Sequence, residues 1–249
     1  MPTVLRYFGF LIGVLLLIAT AFSAETESDV VQFVESFGGS VTRDEKAHNQ
    51  PIIGVDLKGA KIADGDVAKL ASLKQLRRLA LDHTRISNAG LNELKPLVNL
   101  RQIFLSHTLI TDDGLSVLTN FPELETLDIW DTQISDQGLK HLVPLKHLKR
   151  IELSQTTITD AGLKTLAAIT SLEHLELGKT KITDVGVQEL TGLTNLRILH
   201  LNGTNVSDTG LITLRKVGSL RVLSLHDTQT TAAGIAALKQ ALPEIDVYP

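Results

Sequence analysis

Hydrophobic and polar positions recur along this chain with a period of 24 residues. Eight rows run from residue 52 to residue 243 without insertion or deletion and share the pattern LxxLxLxxTxITDxGLxxLxxLxx. The segment LxxLxL alternates apolar and polar positions, which predicts a short strand. The segment ITDxGLxxLxxL repeats its apolar positions every three residues, which predicts a short helix with one buried stripe. One row cannot bury both stripes alone, so we expect the rows to stack around a continuous core.

The turn between strand and helix has a recurring chemistry, which the row that begins at Leu148 illustrates. Thr159 stands where the helix should start, and its hydroxyl can accept a free backbone N–H. Asp160 follows, where a carboxylate suits the positive end of the helix dipole. Gly162 comes two residues later, and we expect a side chain there to collide with the neighbouring coil. Thr156 has counterparts in six other rows and is expected to turn inward and bond to loop backbone.

These rows resemble the repeats of leucine-rich-repeat proteins, particularly the 24-residue variety with Thr where many members carry Asn. The chain is similar to exported bacterial proteins of this type, common in planctomycetes, over nearly all of its length after residue 23. The resemblance implies an α/β fold, a curved solenoid or horseshoe with parallel strands on the concave face and short helices on the convex face. It also implies that the protein binds ligands, usually proteins, on its strand face.

The two ends of the chain depart from the repeat. Residues 1–23 place Arg6 before an apolar run at residues 8–18 and small residues after it, which is the order of a signal peptide. We therefore expect a periplasmic or secreted protein that is not inserted in the membrane after cleavage. An uncleaved signal anchor that tethers the protein to the membrane is the alternative. Residues 24–51 are expected to cap the solenoid with a helix and a short strand, and residues 244–249 to form an edge strand and tail.

The composition and the absence of known motifs argue against several classes of function. The formal net charge is −4, so no basic excess favours nucleic acid or an anionic membrane. The chain has no cysteine, which excludes disulfides and thiolate metal sites. The sequence contains no GxSxG, HExxH, Walker or dinucleotide-binding motif. We therefore expect no enzymatic activity and no cofactor, and we expect a monomer.

Because the rows stack in register, the sequence predicts which side chains are neighbours on the outer face of the sheet. The fourth and sixth positions of each row point inward, so the third, fifth and seventh point outward. Residues 24 apart then stand side by side. Phe104 and Trp130 become diagonal neighbours and the bulky aromatic residues of this face, which is typical of a binding hot spot. The alternative is that Trp130 lies over Phe104 and shields the sheet.

A run of three acidic residues occupies the fifth position of consecutive rows: Asp128, Glu152 and Glu176. Like charges this close repel one another, so we expect a protein or peptide ligand with a basic patch to bind beside them. The alternative is neutralisation by Arg150, His174 and His200. The predicted partner-binding residues are Phe104, Asp128, Trp130, Arg150, Glu152, Glu176 and His200.

Two further hypotheses remain open. The first is a structural or assembly protein of the cell envelope, joined through the open ends of the solenoid. The second is a metal-dependent hydrolase, because two histidines and a carboxylate can hold zinc. The candidate groups are His83, His107 and Asp131 beside Asp82, and Glu176, His200 and His226. Both lack HExxH spacing, and we predict no metal site. Asn202 and Asn205 lie in N-glycosylation sequons, which matter only if the source adds N-glycans.

Overall fold

A computed structural model describes residues 26–249 of the chain. The predicted signal peptide, residues 1–23, lies outside the described residues. From residue 52 onward, each row of the sequence contributes one strand followed by one helical segment. The period of the hydrophobic pattern is therefore also the period of the structure.

The strands form one ten-stranded sheet whose spatial order is the order of the chain. The first strand, β1 (Ser40–Arg43), pairs antiparallel with β2 (Ile52–Asp56). The strands that follow, each parallel to its predecessor, are β3 (Arg78–Ala80), β4 (Gln102–Phe104), β5 (Thr126–Asp128), β6 (Arg150–Glu152), β7 (His174–Glu176), β8 (Ile198–His200), β9 (Val222–Ser224) and β10 (Asp246–Tyr248). The register is constant, since Leu79 pairs with Ile103 and Ile103 with Leu127. The predicted α/β solenoid is confirmed.

Helical segments fill the other side of each row. The α-helices are α1 (Glu27–Ser36), α2 (Asp64–Val67), α3 (Asn88–Glu93), α4 (Asp160–Leu166), α5 (Asp184–Val187), α6 (Asp208–Leu214) and α7 (Ala232–Ala241). Tighter 3₁₀ segments occupy Ala68–Ser72, Asp112–Asn120, Gly138–His141 and Gln188–Gly192. A row of 24 residues must hold a strand, a helical segment and two turns. The helical part is therefore so short that 3₁₀ turns compete with regular α-helix.

The predicted hydroxyl caps are present at most helix starts. Thr159 Oγ1 accepts the backbone N–H of Ala161 at 3.3 Å, for example. One row differs, because its helical segment begins at Gly138, later than the pattern predicts. Ser135 of that row still accepts the N–H of Gln137 at 3.3 Å. Ser135 therefore makes the capping hydrogen bond even though the helical segment of its row begins only at Gly138.

The core lies between the sheet and the helical segments and is almost entirely aliphatic. The recurring leucines are fully buried, and Phe121 is the largest side chain with no exposed surface. At the first end of the stack, α1 adds Val30 and Val34 to this core. At the other end, Val247 of β10 closes it with 9% of its surface exposed. Both ends of the stacked core are therefore covered by elements that lie outside the repeat pattern.

A ladder of buried threonines runs through the turns that follow the strands. Thr156 is 6% exposed, and its hydroxyl donates to the carbonyl of Leu153 at 2.5 Å. The same bond to the carbonyl three residues earlier is made by Thr84, Thr108, Thr132, Thr180, Thr204 and Thr228. The expectation that these threonines turn inward to loop backbone is confirmed, because each hydroxyl donates a hydrogen bond to a turn carbonyl.

The recurring aspartates link consecutive rows. Asp160 accepts the backbone N–H of Thr183 at 2.8 Å and the Thr183 hydroxyl at 2.7 Å. Equivalent pairs are Asp64–Ser87, Asn88–Thr111, Asp112–Ser135, Asp136–Thr159, Asp184–Ser207 and Asp208–Thr231. A Cβ added at Gly186 would overlap the Asp160 carboxylate, which confirms the predicted collision. Besides lying at helix starts, the aspartates therefore tie each row to the next.

Candidate functional site

The third and fifth positions of the rows form the outer surface of the sheet, which we call the strand face. The fifth positions stand in one continuous line across the sheet: Asp56, Ala80, Phe104, Asp128, Glu152, Glu176, His200, Ser224 and Tyr248. All seven predicted partner-binding residues lie on this face or directly after a strand on it. The register places them within five consecutive strands, β4 to β8.

Several positions of the strand face are less accessible than the sequence predicts. Ala80, Asp82, Ser106 and Ser224 are between 2% and 7% exposed. Strands in a parallel sheet are about 4.8 Å apart, so a short side chain lies below the tips of its longer neighbours. The expectation that all fifth and seventh positions are displayed is therefore wrong for these small side chains.

The two aromatic residues of the strand face have separate partners. The Arg78 guanidinium lies over the Phe104 ring, 4.7 Å from its centroid. The Trp130 ring packs against His107 in a T-shaped contact with centroids 4.2 Å apart. Both aromatic side chains are half-buried. The Phe104 and Trp130 rings therefore each contact a different neighbour, and Trp130 does not stack on Phe104.

The first predicted histidine group is an aromatic cluster at the carboxyl-terminal edge of the sheet. His83 stacks on His107 with ring centroids 4.2 Å apart, and His107 Nδ1 lies 2.7 Å from an Asp131 carboxylate oxygen. His83 thus presents its ring face to His107 and extends a stack that ends on Trp130. This arrangement uses the rings for packing, and the three residues do not converge as metal ligands.

The second predicted histidine group is correct for Glu176 and His200 but wrong for His226. His226 is exposed, and its backbone N–H donates to Asn202 Oδ1 at 2.9 Å. The residue that completes the cluster is His174, because alternate residues of one strand share a face. His174 Nε2 lies 2.9 Å from Glu176 Oε1, and His200 Nδ1 lies 3.4 Å from Oε2.

Arg150 also converges on this cluster. Its guanidinium donates to Glu176 Oε1 at 2.6 Å and lies 3.2 Å from His174 Nδ1. Of the three residues named in that alternative, Arg150 forms an ion pair with Glu176, and His174 and His200 contact the same carboxylate. Among residues 26–249, no basic side chain forms an ion pair with Asp128 or Glu152.

The two neighbouring glutamates titrate in opposite directions. Burial raises the pKa of Glu152 to about 8, and its hydrogen bond with Glu176 acts in the same direction. For Glu176, burial also opposes ionisation, but the contacts with His174, His200 and Glu152 and the charge of Arg150 outweigh it. The pKa of Glu176 is consequently held below its usual range. At neutral pH the pair thus carries about one negative charge, located on Glu176.

Asp128 holds its place in a small polar network beside the glutamates. It accepts hydrogen bonds from the Ser106 hydroxyl and, at 3.2 Å, from the backbone N–H of Trp130. Ser106 in turn donates its backbone N–H to Asp82 at 3.2 Å. Burial raises the pKa of Asp82, and the nearby charge of Asp128 raises it further. Asp128 is half-buried and fixed in orientation, yet it has no cationic partner within the described chain.

A groove lies beside the first strands of the stack. It has a volume of about 400 Å³ and lies at the amino-terminal ends of these strands, where Arg77, Arg78 and Arg101 line it. Arg77 lies 3.4 Å from Asp44, and Arg101 lies 3.3 Å from Glu125. Arg78 lies 3.8 Å from Asp56, so each of the three arginines of this groove is paired with a carboxylate.

Sequence reasoning missed two residues of this site. His174 belongs to the metal-type cluster, and the signal that could have found it is its position two residues before Glu176 on a predicted strand. Arg78 packs on Phe104, its neighbour on the next strand in the diagonal direction. His174 and Arg78 both occupy the third position of their rows, and both side chains contact a residue at a fifth position.

Comparison with known protein families finds a match to part of the chain. The family model described as leucine rich repeat matches residues 146–206. No curated protein sequence matches the chain. Among residues 26–249, no helix combines the length and apolar character needed to cross a membrane.

Three solved structures are similar to this chain. Internalin C2 from Listeria monocytogenes is 20% identical with a TM-score of 0.60, over 87% of this chain and 91% of that one. A second internalin from the same organism is 16% identical with a TM-score of 0.51, over 88% and 94%. The ectodomain of the Arabidopsis receptor kinase HAESA, in complex with a peptide hormone ligand, is 21% identical with a TM-score of 0.61, over 81% of this chain and 34% of that one. At these identities the likeness shows the fold.

Proposed function

We propose that this chain, a leucine-rich-repeat protein, is a non-catalytic binding module that recognises a protein or peptide ligand through its strand face. Stacked repeats create an extended surface that can contact a macromolecular ligand. The recurring hydroxyls and the repeat aspartates are already engaged in structural hydrogen bonds. The variable positions of the strand face are therefore where ligand specificity resides.

The observation that carries this proposal is the half-buried group around Trp130. Phe104 and Trp130 flank Asp128, which is fixed by the Ser106 hydroxyl and lacks a cationic partner within residues 26–249. Interface hot spots are enriched in aromatic residues such as Trp, and an oriented charge beside them adds specificity for a ligand of opposite charge. Their neighbours Glu152, Glu176 and His200, with Arg150, would form the surrounding polar contacts.

The ligand chemistry follows from the charges. Three basic side chains converge on Glu176, and Glu152 is largely protonated near neutral pH. Asp128 is therefore the carboxylate of the acidic run that remains for a basic group of the ligand. We expect a lysine or arginine of the ligand to approach Asp128 with its stem against Trp130.

Affinity capture with the parent chain and matched variants tests this proposal. Extracts of the cell envelope and culture medium of the producing organism are passed over the parent, Trp130→Ala and Asp128→Lys. The controls Ile212→Ala and Glu189→Lys make an apolar truncation and a charge reversal at exposed positions of the helical side. We expect retention of a bound protein to fall at least about tenfold in both strand-face variants, as for residues that each contribute about 1.4 kcal/mol or more.

The two control variants distinguish a binding site on the strand face from one on the helical side. Ile212→Ala and Glu189→Lys should retain the same protein as the parent. Equal retention by all five chains would contradict a site on the strand face, and loss from the helical-side variants alone would place the site there. Far-ultraviolet circular dichroism of each variant confirms that the repeats remain folded.

We further propose that the protein works outside the cytoplasm, in the periplasm or after secretion. The support is the order of Arg6, the apolar run at residues 8–18 and the small residues that follow it. Intact mass measurement of the protein isolated from its producing organism should show a chain shortened by roughly 20 residues. A full-length chain found in the membrane fraction would instead indicate the tethered form.

A further inference from the structure

Three potential metal ligands meet on the strand face between β7 and β8. His174 and Glu176 occupy alternate positions of β7 and so project from the same side, while the register pairs Glu176 with His200 of β8. One ligand atom from each residue lies within 4.8 Å of the other two. Within the described residues 26–249, this is the one group of His, Asp and Glu side chains that meets this condition.

The spacing of the ligand atoms suits a tetrahedral ion. Zinc binds nitrogen and oxygen ligands at about 2.0–2.1 Å, so two ligand atoms of a tetrahedral site lie about 3.3 Å apart. The His174 Nε2 atom is 2.9 Å from one carboxylate oxygen of Glu176, and the His200 Nδ1 atom is 3.4 Å from the other. These two distances run to different oxygens of one carboxylate, and each is close to the tetrahedral value.

A buried nitrogen atom gives an independent reason to expect a ligand. Nε2 of His174 has no accessible surface and makes no hydrogen bond of acceptable geometry, although Glu176 is near. A buried polar atom without a hydrogen bond is uncommon and calls for an explanation such as an ion. Once Arg150 leaves Nδ1 of His174, the imidazole proton can move to Nδ1, and a metal ion would then bind the lone pair of Nε2 together with the two other ligands.

We propose that His174, Glu176 and His200 bind Zn²⁺ in exchange for the Arg150 guanidinium. Two imidazoles and one carboxylate are ligands that zinc and neighbouring transition ions favour, whereas Mg²⁺ and Ca²⁺ require oxygen ligands. Three protein ligands leave the fourth position of a tetrahedral site to water or to a donor atom from a ligand.

Arg150 is the competitor for this site. It donates to Glu176 at 2.6 Å and lies 3.2 Å from Nδ1 of His174, so it neutralises the carboxylate when no metal is bound. Its side chain is 45% exposed and can turn into solvent. Because two cations repel each other across this distance, removal of Arg150 should make Zn²⁺ bind more tightly.

Isothermal titration calorimetry with ZnCl₂ alone tests the proposal on the full chain after chelator treatment. We expect saturation at one ion per chain, and no saturable heat with MgCl₂. The variants His174→Gln and His200→Gln should bind Zn²⁺ at least about 100-fold more weakly, because loss of even an outer-shell partner costs 10- to 100-fold. The control His226→Gln should bind as the parent does, since His226 is exposed and outside the cluster.

Arg150→Gln provides a gain of affinity that a misfolded variant cannot imitate. It keeps all three ligands, and we expect roughly tenfold tighter Zn²⁺ binding, in line with the removal of one neighbouring charge near the surface. Absence of saturable Zn²⁺ binding by the parent and by Arg150→Gln would overturn the site. Equal weakening by His226→Gln would overturn the ligand set, and weaker binding by Arg150→Gln would overturn the exchange.

This inference does not depend on the proposed function. The probe is the metal ion alone, so a failed titration leaves ligand capture by the strand face unaffected. Conversely, Zn²⁺ binding without any captured protein would support the metal site and contradict the binding module. The two outcomes are therefore distinguishable in separate experiments.

Discussion

At the scale of single residues, the position that follows each strand is conformationally demanding. The residue there has a positive φ in every row from Gly59 onward, and six of these residues are not glycine, with φ between 50° and 57°. They are His83, His107, Asp131, Gln155, Lys179 and Asp227. The left-handed conformation costs a residue with a Cβ about 1–2 kcal/mol. The repeat therefore carries local strain that the inter-strand hydrogen bonds, such as that from Gln155 N–H to Gly178 O at 2.8 Å, offset.

Replacement of Gln155 by glycine tests this strain. We expect Gln155→Gly to raise the free energy of unfolding by up to about 1 kcal/mol, because glycine adopts positive φ without steric cost. The matched control is Gln133→Gly, at an exposed bridge residue with ordinary φ. That change should lower the free energy of unfolding by about 0.5–1 kcal/mol. Urea denaturation measures both, and the same sign for the two variants would contradict the account.

Asp82 is the residue whose protonation should affect stability. Burial and the Asp128 charge raise its pKa in the folded protein, so the folded state holds this proton more tightly than the unfolded state. The stabilising contribution is therefore complete below the unfolded pKa and is lost as the pH rises through the folded pKa. We expect Asp82→Asn to be more stable than the parent at neutral pH and equal to it in acid. A parent that gains stability relative to Asp82→Asn between pH 4 and pH 7 would be inconsistent with this sign.

At the scale of elements, the link between rows depends on a short side chain that makes two hydrogen bonds to the next repeat. Asp160 performs this for Thr183, and in an earlier row Asn88 performs it for Thr111 with bonds of 3.0 Å and 2.7 Å. An amide can do so because its oxygen accepts the backbone N–H while its nitrogen donates to the hydroxyl. The position thus requires a short acceptor and does not require a charge.

Because Asn88 makes the same link between rows as Asp160, substitutions of Asp160 can be compared with a natural amide at this position. Asp160→Ala removes the acceptor for two partly buried donors and should lower the free energy of unfolding by about 1–3 kcal/mol. Asp160→Asn copies the arrangement at Asn88 and should cost less than about 1 kcal/mol. Chemical denaturation of the two variants side by side gives the answer. Equal losses would mean that the negative charge at the helix start matters and the inter-row bonds do not.

The elements were predictable from the sequence to different degrees. The strands follow from alternating apolar positions, and the hydroxyl caps follow from Ser or Thr before each helical stripe. The helix type was not predictable, because Asp112–Asn120 has the same pattern as Asp160–Leu166 and yet is 3₁₀. The partner of each aspartate was also not predictable, since a helix-start carboxylate satisfies the dipole whether or not it contacts the next row.

At the scale of the whole molecule, a fixed period of 24 residues determines the solenoid, its sheet order and its register. Which columns stand side by side could therefore be read from the sequence alone. Which side chains are accessible could not, because Ser106 and Asp82 share a column with Trp130 but lie beneath longer neighbours. The direction of the side chains also determines which histidines lie near Glu176. The cluster contains His174, from the same strand as Glu176, and does not contain the predicted His226.

The most direct test of the central claim, ligand recognition by the strand face, is site-specific photo-crosslinking. A benzophenone amino acid replaces Phe104 on the strand face in one chain and Val185, 65% exposed on α5, in another. Both chains are irradiated in the envelope and medium extracts of the producing organism. The account predicts a discrete protein adduct from position 104 and none from position 185. An adduct formed only from position 185 would contradict it.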